Sequence, residues 1–331
     1  MPHTKLDIVI PVFNEIEIIE QLHERVVTAC RQTGESFQVI YIDDGSSDGT
    51  AHWIATNATA IDLGPQGRTK LIRLSRNFGQ PAAIHAGLKA SHAECVVLMD
   101  GDLQDPPELI PEMLERWMKG DQIVIAQRTS RKESLIRGIG FKIFHKIFRY
   151  LSDSKMPANT GTFCLLDRQA VEAVCRLSES HRFFPGLRAW VGFRQSFIPL
   201  ERPPRAGGSP KQTLGRLTQY ALDAIFGYSL KPLRVLTAIG TTICGFALMA
   251  IGYFVLIELG GWETSSFGLK TLSCAILALG GFQVIAIGVL GEYVGRIYDE
   301  VRRRPAYIVD QELEIASKIC EPINYHNRKA S

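Results

Sequence analysis

The sequence predicts an α/β fold with a doubly wound, mostly parallel sheet, followed by amphipathic helices and a two-helix transmembrane hairpin. Apolar runs of strand length alternate with helical periodicity through residues 6–126, an order that produces parallel pairing. A polar cluster follows each of the first four runs, and two long uncharged segments lie near the C-terminus. Since ligands bind outside the carboxyl ends of such strands, the four clusters are expected to form one site.

Five strands and three helices account for the alternation. The strands are apolar runs bounded by turn residues, at Leu6–Val12, Phe37–Ile42, Lys70–Leu74, Glu94–Met99 and Gln122–Ala126. The helices between them are predicted at Ile16–Arg31, after Thr50 to about Ala60, and from Pro81 to about Ala90.

Composition excludes several classes of protein. With 331 residues, 46% of them hydrophobic, the chain can hold one large α/β domain plus something smaller. A formal charge of +3 does not indicate a nucleic acid as partner. The seven cysteines are scattered without a Cys-x-x-Cys motif, which favours a reduced cytosolic setting over a disulfide framework or a zinc site. Lys5 and Asp7 interrupt the apolar segment that a signal peptide would need, so no signal peptide is expected before the first strand. The N-terminal domain is therefore expected to stay in the compartment where it is synthesised.

The fourth apolar run becomes acidic at Asp100. Because side chains alternate along an extended backbone, Asp100, Asp102 and Gln104 are expected on one side, with Gly101 leaving room between them. Oxygen ligands in that row suit Mg²⁺ or Mn²⁺, and such ions complete their shell with substrate phosphates. An isolated Asp-x-Asp is more often a solvated turn, so the metal interpretation depends on the other clusters.

Those clusters are Pro11–Glu15, Asp43–Thr50 and Arg76–Gln80. Asp44 can accept a hydrogen bond from a ribose hydroxyl or a base, and Arg76 can bring a fixed positive charge toward a pyrophosphate. Each cluster alone is better explained as turn chemistry. All four in this order favour a nucleotide-diphosphate donor.

Two segments have the pattern of basic amphipathic helices, residues 135–151 and 212–231. This composition is typical of helices in a membrane interface, which makes the lipid bilayer an expected partner; packing of an ordinary surface helix on the core is the alternative. Arg137 falls at the edge of the first apolar arc, where a charge needs either to snorkel or to meet an anion such as a lipid phosphate.

A transmembrane hairpin is predicted from Val235–Ile257, 23 residues without a charge, and Thr271–Leu290, another 20. Basic residues flank its outer ends, at Lys231, Arg234, Arg296 and 302–304. By the positive-inside rule these flanks place both ends of the chain and the whole N-terminal domain in the cytoplasm, in a multi-pass protein of the inner (plasma) membrane. Gly288, Gly291 and Gly295, at the end of the second segment and just beyond it, predict a close-packing face and a homo-oligomer through the transmembrane helices.

Taken together, the motifs resemble a known family. Pro11-x-x-Asn14-Glu15, Asp43-Asp44-Gly45-Ser46, Arg76-Asn77-x-Gly79 and Asp100-Gly101-Asp102-x-Gln104-x-Pro106-Pro107-Glu108 are similar to the motifs of family-2 inverting glycosyltransferases. The likeness is greatest to the branch of dolichyl-phosphate mannose synthase and the bacterial polyprenyl-phosphate (bactoprenol) glucosyltransferases. It covers roughly residues 5–215 by motif, and the hairpin by architecture.

The resemblance implies a Rossmann-like GT-A domain that transfers one sugar, glucose from UDP-glucose in particular, to polyprenyl phosphate. The nucleotide-sugar-binding residues it implies are Pro11, Asn14, Glu15, Asp43, Asp44, Ser46, Arg76 and Asp100. The implied metal ligands for Mg²⁺ or Mn²⁺ are Asp100, Asp102 and Gln104. The implied contacts to the acceptor phosphate are Arg128, Arg137, Arg205 and Lys211. Catalysis is expected to depend on Asp100, Asp102, Arg128 and Arg137.

The chain departs from the family pattern at two positions. In the later basic loop it has Arg205-Ala206-Gly207-Gly208-Ser209-Pro210-Lys211 in place of the usual Gly-x-Ser-Lys. The other departure concerns a catalytic base. Relatives often read Gly-Asp-Phe-Arg-Leu where this chain has Gly161-Thr162-Phe163-Cys164-Leu165, preceded by Asn159, so carboxylates that would be nominated as a base are absent. A lipid monophosphate is already ionised near neutral pH, so neither Asn159 nor Thr162 is expected to carry the chemistry. A catalytically silent lipid-sugar binder or flippase scaffold, and a processive polysaccharide synthase, are the alternatives.

Four domains are predicted along the chain: a nucleotide-sugar-binding core at 1–134, an acceptor-side part at 135–231, the two transmembrane helices at 232–295 and a basic tail at 296–331.

Overall fold

The computed structural model describes residues 4–58, 63–64, 67–128, 160–177, 179, 182–200, 231–259 and 267–315. The chain divides into two compact units. The first comprises Met1–Ser134, Lys155–Lys211 and Arg304–Ser331, and the second comprises Leu135–Ser154 and Gln212–Arg303. The predicted division into four domains stays a prediction.

The first unit contains an eight-stranded sheet over the residues described. Its strands are β1 Leu6–Val12, β2 Phe37–Asp43, β3 Gly67–Leu74, β4 Cys95–Leu98, β5 Ile123–Arg128, β6 Thr160–Asp167, β7 Gln195–Leu200 and β8 Val309–Ile315. The order across the sheet is β7-β5-β6-β4-β1-β2-β3-β8. Strand β6 runs antiparallel to β4 and β5, and β8 runs antiparallel to β3, while the other pairs are parallel. The predicted α/β fold with a mostly parallel sheet is confirmed.

Helices follow the strands of the first unit, and two longer helices belong to the second. They are α1 Ile19–Gln32, α2 Thr50–Asn57, α3 Gln80–Ala90, α4 Ile110–Met118, α5 Arg168–Arg176, α6 Phe184–Trp190, α7 Lys231–Leu259 and α8 Phe267–Arg302, with a 3₁₀ turn at Pro107–Leu109. The three predicted helices correspond to α1, α2 and α3.

Burial of the central strands explains how the sheet fixes the loops at its edge. Every residue of β2 except Gln38 is buried, and β1 is buried except at Pro11. Helix α3 packs directly on these strands at Gly87, where a Cβ atom would come within 2.2 Å of Val9 Cγ1. Because α3 is held this closely, its first turn is fixed at the edge where β1, β2 and β4 end.

The predicted transmembrane hairpin is wrong. Crossing about 30 Å of hydrocarbon takes roughly 20 consecutive apolar residues. Over the described residues of α7 and α8, neither helix has a stretch that is both long enough and apolar enough to cross a membrane. The predicted multi-pass localisation in the inner membrane is wrong for the same reason. The cytoplasmic placement of the catalytic domain and the predicted oligomer were both argued from such helices, so both lose that support.

Other predictions lie outside the described residues. The amphipathic segment at 135–151 does so entirely, and the one at 212–231 does so except for Lys231, where α7 begins.

Candidate active site

The loops that follow β1 and β2 are joined by Asn14. This residue has a φ of 53°, in the left-handed region that asparagine tolerates better than most residues. Its backbone N–H donates to Ser46 Oγ at 2.9 Å, and its side-chain Oδ1 accepts from the Ser47 N–H at 2.9 Å. The Glu15 N–H donates to Thr50 Oγ1 at 3.0 Å. The first two predicted clusters therefore lie side by side.

Asp43 secures the second of these loops from within the core. Its buried carboxylate accepts from the Ser46 N–H at 3.2 Å, and Arg73 Nε lies 3.5 Å away. Burial raises the pKa of Asp43, and the hydrogen bonds from Ser46 and the charge of Arg73 oppose that change. These contacts fit a residue that shapes the loop rather than one that faces a ligand.

Asp44 connects the second loop to the third. Its Oδ1 accepts from the Phe78 N–H at 2.7 Å and its Oδ2 from the Gly79 N–H at 2.8 Å. Burial raises the pKa of Asp44, and these two backbone donors oppose the change. The loops approach so closely at Gly45 that a Cβ atom there would lie 2.7 Å from the Arg76 carbonyl carbon. Each carboxylate oxygen of Asp44 therefore already accepts a hydrogen bond from the protein. Asp44 holds the third loop in place, a role that the sequence did not predict.

Arg76 lies exposed on the loop that Asp44 holds. Its guanidinium carbon lies 4.1 Å from the centre of the Phe78 ring, and one of its N–H groups donates to the Asn77 carbonyl at 3.1 Å. Stacking on an aromatic face restrains the guanidinium while keeping its charge available to an anion.

The acidic residues after β4 lie in a turn, so the expectation of an extended row is wrong. Strand β4 ends at Leu98, before the first acid. The Gln104 N–H donates to Asp102 Oδ1 at 3.1 Å, a short-range bond typical of an aspartate turn. Leu103 between them is buried and has a φ of 58°, which is unusual for leucine. Burial of this leucine therefore anchors a strained turn between Asp102 and Gln104.

Asp100 is the point where four parts of the chain meet. Its Oδ1 accepts from Gln80 Nε2 at 2.7 Å and from Thr162 Oγ1 at 2.8 Å. Its backbone N–H donates to the buried Asp105 Oδ2 at 3.1 Å. The adjacent Gly101 lies against β1, where a Cβ atom would be 3.0 Å from the Pro11 carbonyl oxygen. Gln80, Thr162 and Asp105 were all missed as site residues.

A fully buried arginine lies behind this junction. Arg188 of α6 is 1% exposed and donates from one terminal nitrogen to the Gly161 carbonyl at 3.0 Å. Burial raises the pKa of the Cys164 thiol; Arg188 lowers that pKa and Asp105 raises it, so both charges act on the same part of the core. Sequence periodicity carries no signal for this arrangement, because the partners come from separate elements.

The acidic turn offers ligands suited to a divalent cation whose coordination shell is completed by a substrate. Across the part of the chain described, no group of three or more His, Cys, Asp and Glu side chains is placed to hold a metal alone. Asp100, Asp102 and Gln104 offer two carboxylates and one amide oxygen within five residues of sequence. Mg²⁺ characteristically takes one or two carboxylates and fills its other positions with water and phosphate oxygens, and these hard donors suit Mn²⁺ as well.

Little of the predicted acceptor side can be placed. Arg128 is the last residue of β5, and its Cα pairs with that of Leu200 in β7. Arg137, Arg205, Lys211 and Asn159 lie outside the described residues.

Comparison with known proteins gives a consistent set of matches. The sequence profile of the family described as Glycosyl transferase family 2 matches residues 7–175. The chain is 40% identical over 309 residues to uncharacterized glycosyltransferase sll0501 of Synechocystis sp., covering 92% of this chain and 94% of that protein. It is 35% identical over 306 residues to the bactoprenol glucosyl transferase of Shigella phage SfII, covering 92% and 97%.

A third relative and one solved structure extend the comparison. The prophage bactoprenol glucosyl transferase homolog of Escherichia coli strain K12 is 33% identical over 306 residues, covering 92% of this chain and 98% of that protein. The mannosyltransferase PcManGT from Pyrobaculum calidifontis, solved with GDP-Man and Mn²⁺, is 13% identical with a TM-score of 0.46, covering 91% and 87%. That structural similarity is too low to support an inference.

Proposed function

Because this chain belongs to glycosyl transferase family 2 and is a glycosyltransferase, we propose that it transfers a single glucose from UDP-glucose to polyprenyl phosphate, with inversion and with the help of a divalent cation. Relatives that cover almost the whole chain are named for glucosyl transfer to bactoprenol, which supports this acceptor and sugar. The observation in the structure that carries the proposal is the junction at Asp100, where the loop after β4 meets α3, β6 and the end of β1.

The donor nucleotide is proposed to bind along the loops after β1, β2 and β3. Asn14, Glu15 and Ser46 lie in the first two loops, which Asn14 joins, and Pro11 lies near the end of β1. Asp43 and Asp44 hold those loops in shape, and Asp44 retains acceptor capacity for a ribose hydroxyl because each carboxylate oxygen has two lone pairs. Arg76 offers its stacked guanidinium to the diphosphate.

Asp100, Asp102 and Gln104 would hold Mg²⁺ or Mn²⁺, which supplies positive charge where the departing diphosphate becomes more negative. The chain's own contribution is orientation. Gln80 and Thr162 hold the Asp100 carboxylate, while the buried Asp105 holds its backbone. A carboxylate oriented before the donor binds needs little rearrangement during the reaction.

The acceptor phosphate is proposed to meet Arg128 and Arg137, with Arg205 and Lys211 as further cations. A phosphate oxygen attacks the anomeric carbon from the side opposite the nucleotide, so the carbon–oxygen bond to UDP breaks as the new bond forms, and the configuration inverts. The attacking oxygen is already an anion near neutral pH, because a phosphomonoester has a second pKa near 6. No general base is therefore required at Asn159 or Thr162.

The proposal is tested by incubating the full-length protein and Mg²⁺ or Mn²⁺ with a panel of labelled sugar nucleotides and polyprenyl phosphate. Label from UDP-glucose is expected in a single-sugar lipid phosphate, and the anomeric coupling constant of that product should report inversion. Transfer from another sugar nucleotide alone would refute the donor assignment. A polymeric product would favour a processive synthase, and the absence of any lipid product would overturn the acceptor assignment.

A further inference from the structure

We propose that Thr162 and Gln80 are positioning residues that orient the Asp100 carboxylate for the divalent cation, and that buried Arg188 holds Thr162 in place through the Gly161 carbonyl. The inference rests on the proposed function, because it takes Asp100 as a metal ligand. It assigns a role to Thr162 at the position where relatives often carry an aspartate, and it brings α3 and α6 into the organisation of the site.

The two donors approach the same atom from different elements. Thr162 Oγ1 of β6 lies 2.8 Å from Asp100 Oδ1, and Gln80 Nε2 at the start of α3 lies 2.7 Å from it. A carboxylate oxygen has two lone pairs, so these hydrogen bonds fill the acceptor capacity of Oδ1. Both donors are neutral, so they fix the orientation of the carboxylate while leaving it its negative charge.

The position of Thr162 is in turn fixed from the core. The preceding Gly161 carbonyl accepts from Arg188, which is fully buried on α6, so the backbone of β6 is held directly beside the threonine. Asp105, 2% exposed, accepts from the Asp100 N–H and fixes the other side of the same junction. A buried arginine is costly unless it is hydrogen-bonded, and here its bond reaches the residue next to Thr162.

Such contacts matter because a metal ligand binds well only in the right orientation. Removing a group that holds a metal ligand typically weakens metal binding by about 10–100-fold. Thr162→Val removes the hydroxyl and keeps the shape of the side chain, whereas Thr162→Ser keeps the hydroxyl. Thr69 offers a matched control, because it is a buried strand threonine whose hydroxyl has no hydrogen-bond partner among the residues described.

The experiment measures Mn²⁺ binding to the full-length protein in the presence of UDP, by electron paramagnetic resonance of the free ion, beside transfer rates as a function of Mn²⁺ concentration. Thr162→Val and Gln80→Met are each expected to weaken Mn²⁺ binding about tenfold or more. Thr162→Ser should restore most of the affinity, and Thr69→Val should bind Mn²⁺ as the unmodified protein does. At saturating Mn²⁺, Thr162→Val should recover a large part of its transfer rate.

An Asp100→Asn variant distinguishes failure of the positioning role from failure of the metal assignment on which it rests. If Asp100→Asn abolishes Mn²⁺ binding while Thr162→Val and Gln80→Met bind normally, the positioning role is refuted and the proposed function stands. If Asp100→Asn itself binds Mn²⁺ normally, the metal assignment of the proposed function fails. If Thr162→Val does not fold, the exposed Gln80→Met decides the question alone, because normal Mn²⁺ binding by that variant overturns the inference.

Discussion

At the scale of single residues, Asp100 and Asp44 show how similar carboxylates acquire different roles. Asp44 is buried, and both of its carboxylate oxygens accept hydrogen bonds from backbone N–H groups of the loop after β3. Asp100 is only half-buried and receives side-chain donors at one oxygen. The hydrogen bonds of Asp44 therefore hold a loop in place, whereas those of Asp100 hold the carboxylate itself in one orientation.

Replacement of Asp100 by Asn is therefore expected to remove most turnover without disturbing the fold. The substitution keeps size and removes the negative charge that would hold the cation against the diphosphate, so kcat/KM should fall by roughly a hundredfold or more. Thermal unfolding followed by circular dichroism should be nearly unchanged. Excess EDTA should have a comparable effect on the unmodified protein, and full activity in EDTA would contradict the metal role.

Thr69 lies at the opposite extreme, a buried polar residue without a visible function. It belongs to β3, faces Val39 and Ile315 across the sheet, and its hydroxyl lacks a hydrogen-bond partner in the described structure. A buried hydroxyl without a partner costs free energy, so Thr69→Val should raise the free energy of unfolding by about 1 kcal/mol. Urea unfolding measures this change, and a clear loss of stability would show that the hydroxyl has a partner in solution.

At the scale of elements, His85 ties α3 to two other segments. Its Nδ1 lies 2.9 Å from an Arg182 terminal nitrogen, which acts as the donor, and its ring lies 6.0 Å from that of Tyr307, just before β8. Burial, together with the positive charges of Arg182 and Lys89, lowers the pKa of His85 to about 4. The imidazole is therefore neutral at pH 7.

Acid should weaken this connection over a defined interval. The folded-state pKa lies below the ordinary value of 6.5, so the unfolded chain binds the proton more readily and stability falls as the pH drops from 6.5 toward 4. The interval corresponds to about 3 kcal/mol at most. In urea titrations, His85→Gln, which stays neutral and can still accept from Arg182, should lose less stability than the unmodified protein over that range. Equal losses would show that His85 does not titrate with folding.

At the scale of the whole molecule, the chain returns to its first unit after the helices of the second. Strand β8, residues 309–315, forms the edge of the sheet against β3, with an ion pair between Lys70 and Glu312. The Ser75 N–H donates to the Ile308 carbonyl at 2.9 Å, directly before Arg76. The edge strand therefore braces the loop that is proposed to meet the diphosphate.

Truncation after Arg303 should expose this edge. The shortened chain lacks β8, so β3 presents unpaired backbone groups, and buried Ile315 is lost from the core. Lower thermal stability, greater aggregation in light scattering and a raised KM for the sugar nucleotide are expected. Truncation after Lys318 keeps β8 and serves as the control; if both truncated proteins behave alike, β8 is not the element that matters.

Much of the first unit could be predicted from sequence because its information is local. Strands β1 to β5 are apolar runs ended by turn residues, and α1 to α3 follow from helical periodicity. Strand β8 was missed because only Leu313 and Ile315 of its seven residues are buried hydrophobics, the pattern of an edge strand rather than a core strand. Strand β6 was missed because its antiparallel insertion between β4 and β5 depends on partners far away in the sequence.

The local sequence specifies which loops of this protein carry carboxylates, which carry an arginine, and that these loops follow consecutive strands. How these groups are used depends on the tertiary structure. Gln80, Thr162 and Asp105 meet Asp100 because α3, β6 and the acidic turn converge at one edge, and Leu103 places Asp102 in a turn instead of a row. Orientation of a carboxylate depends on contacts between elements distant in sequence, and no local pattern encodes such contacts.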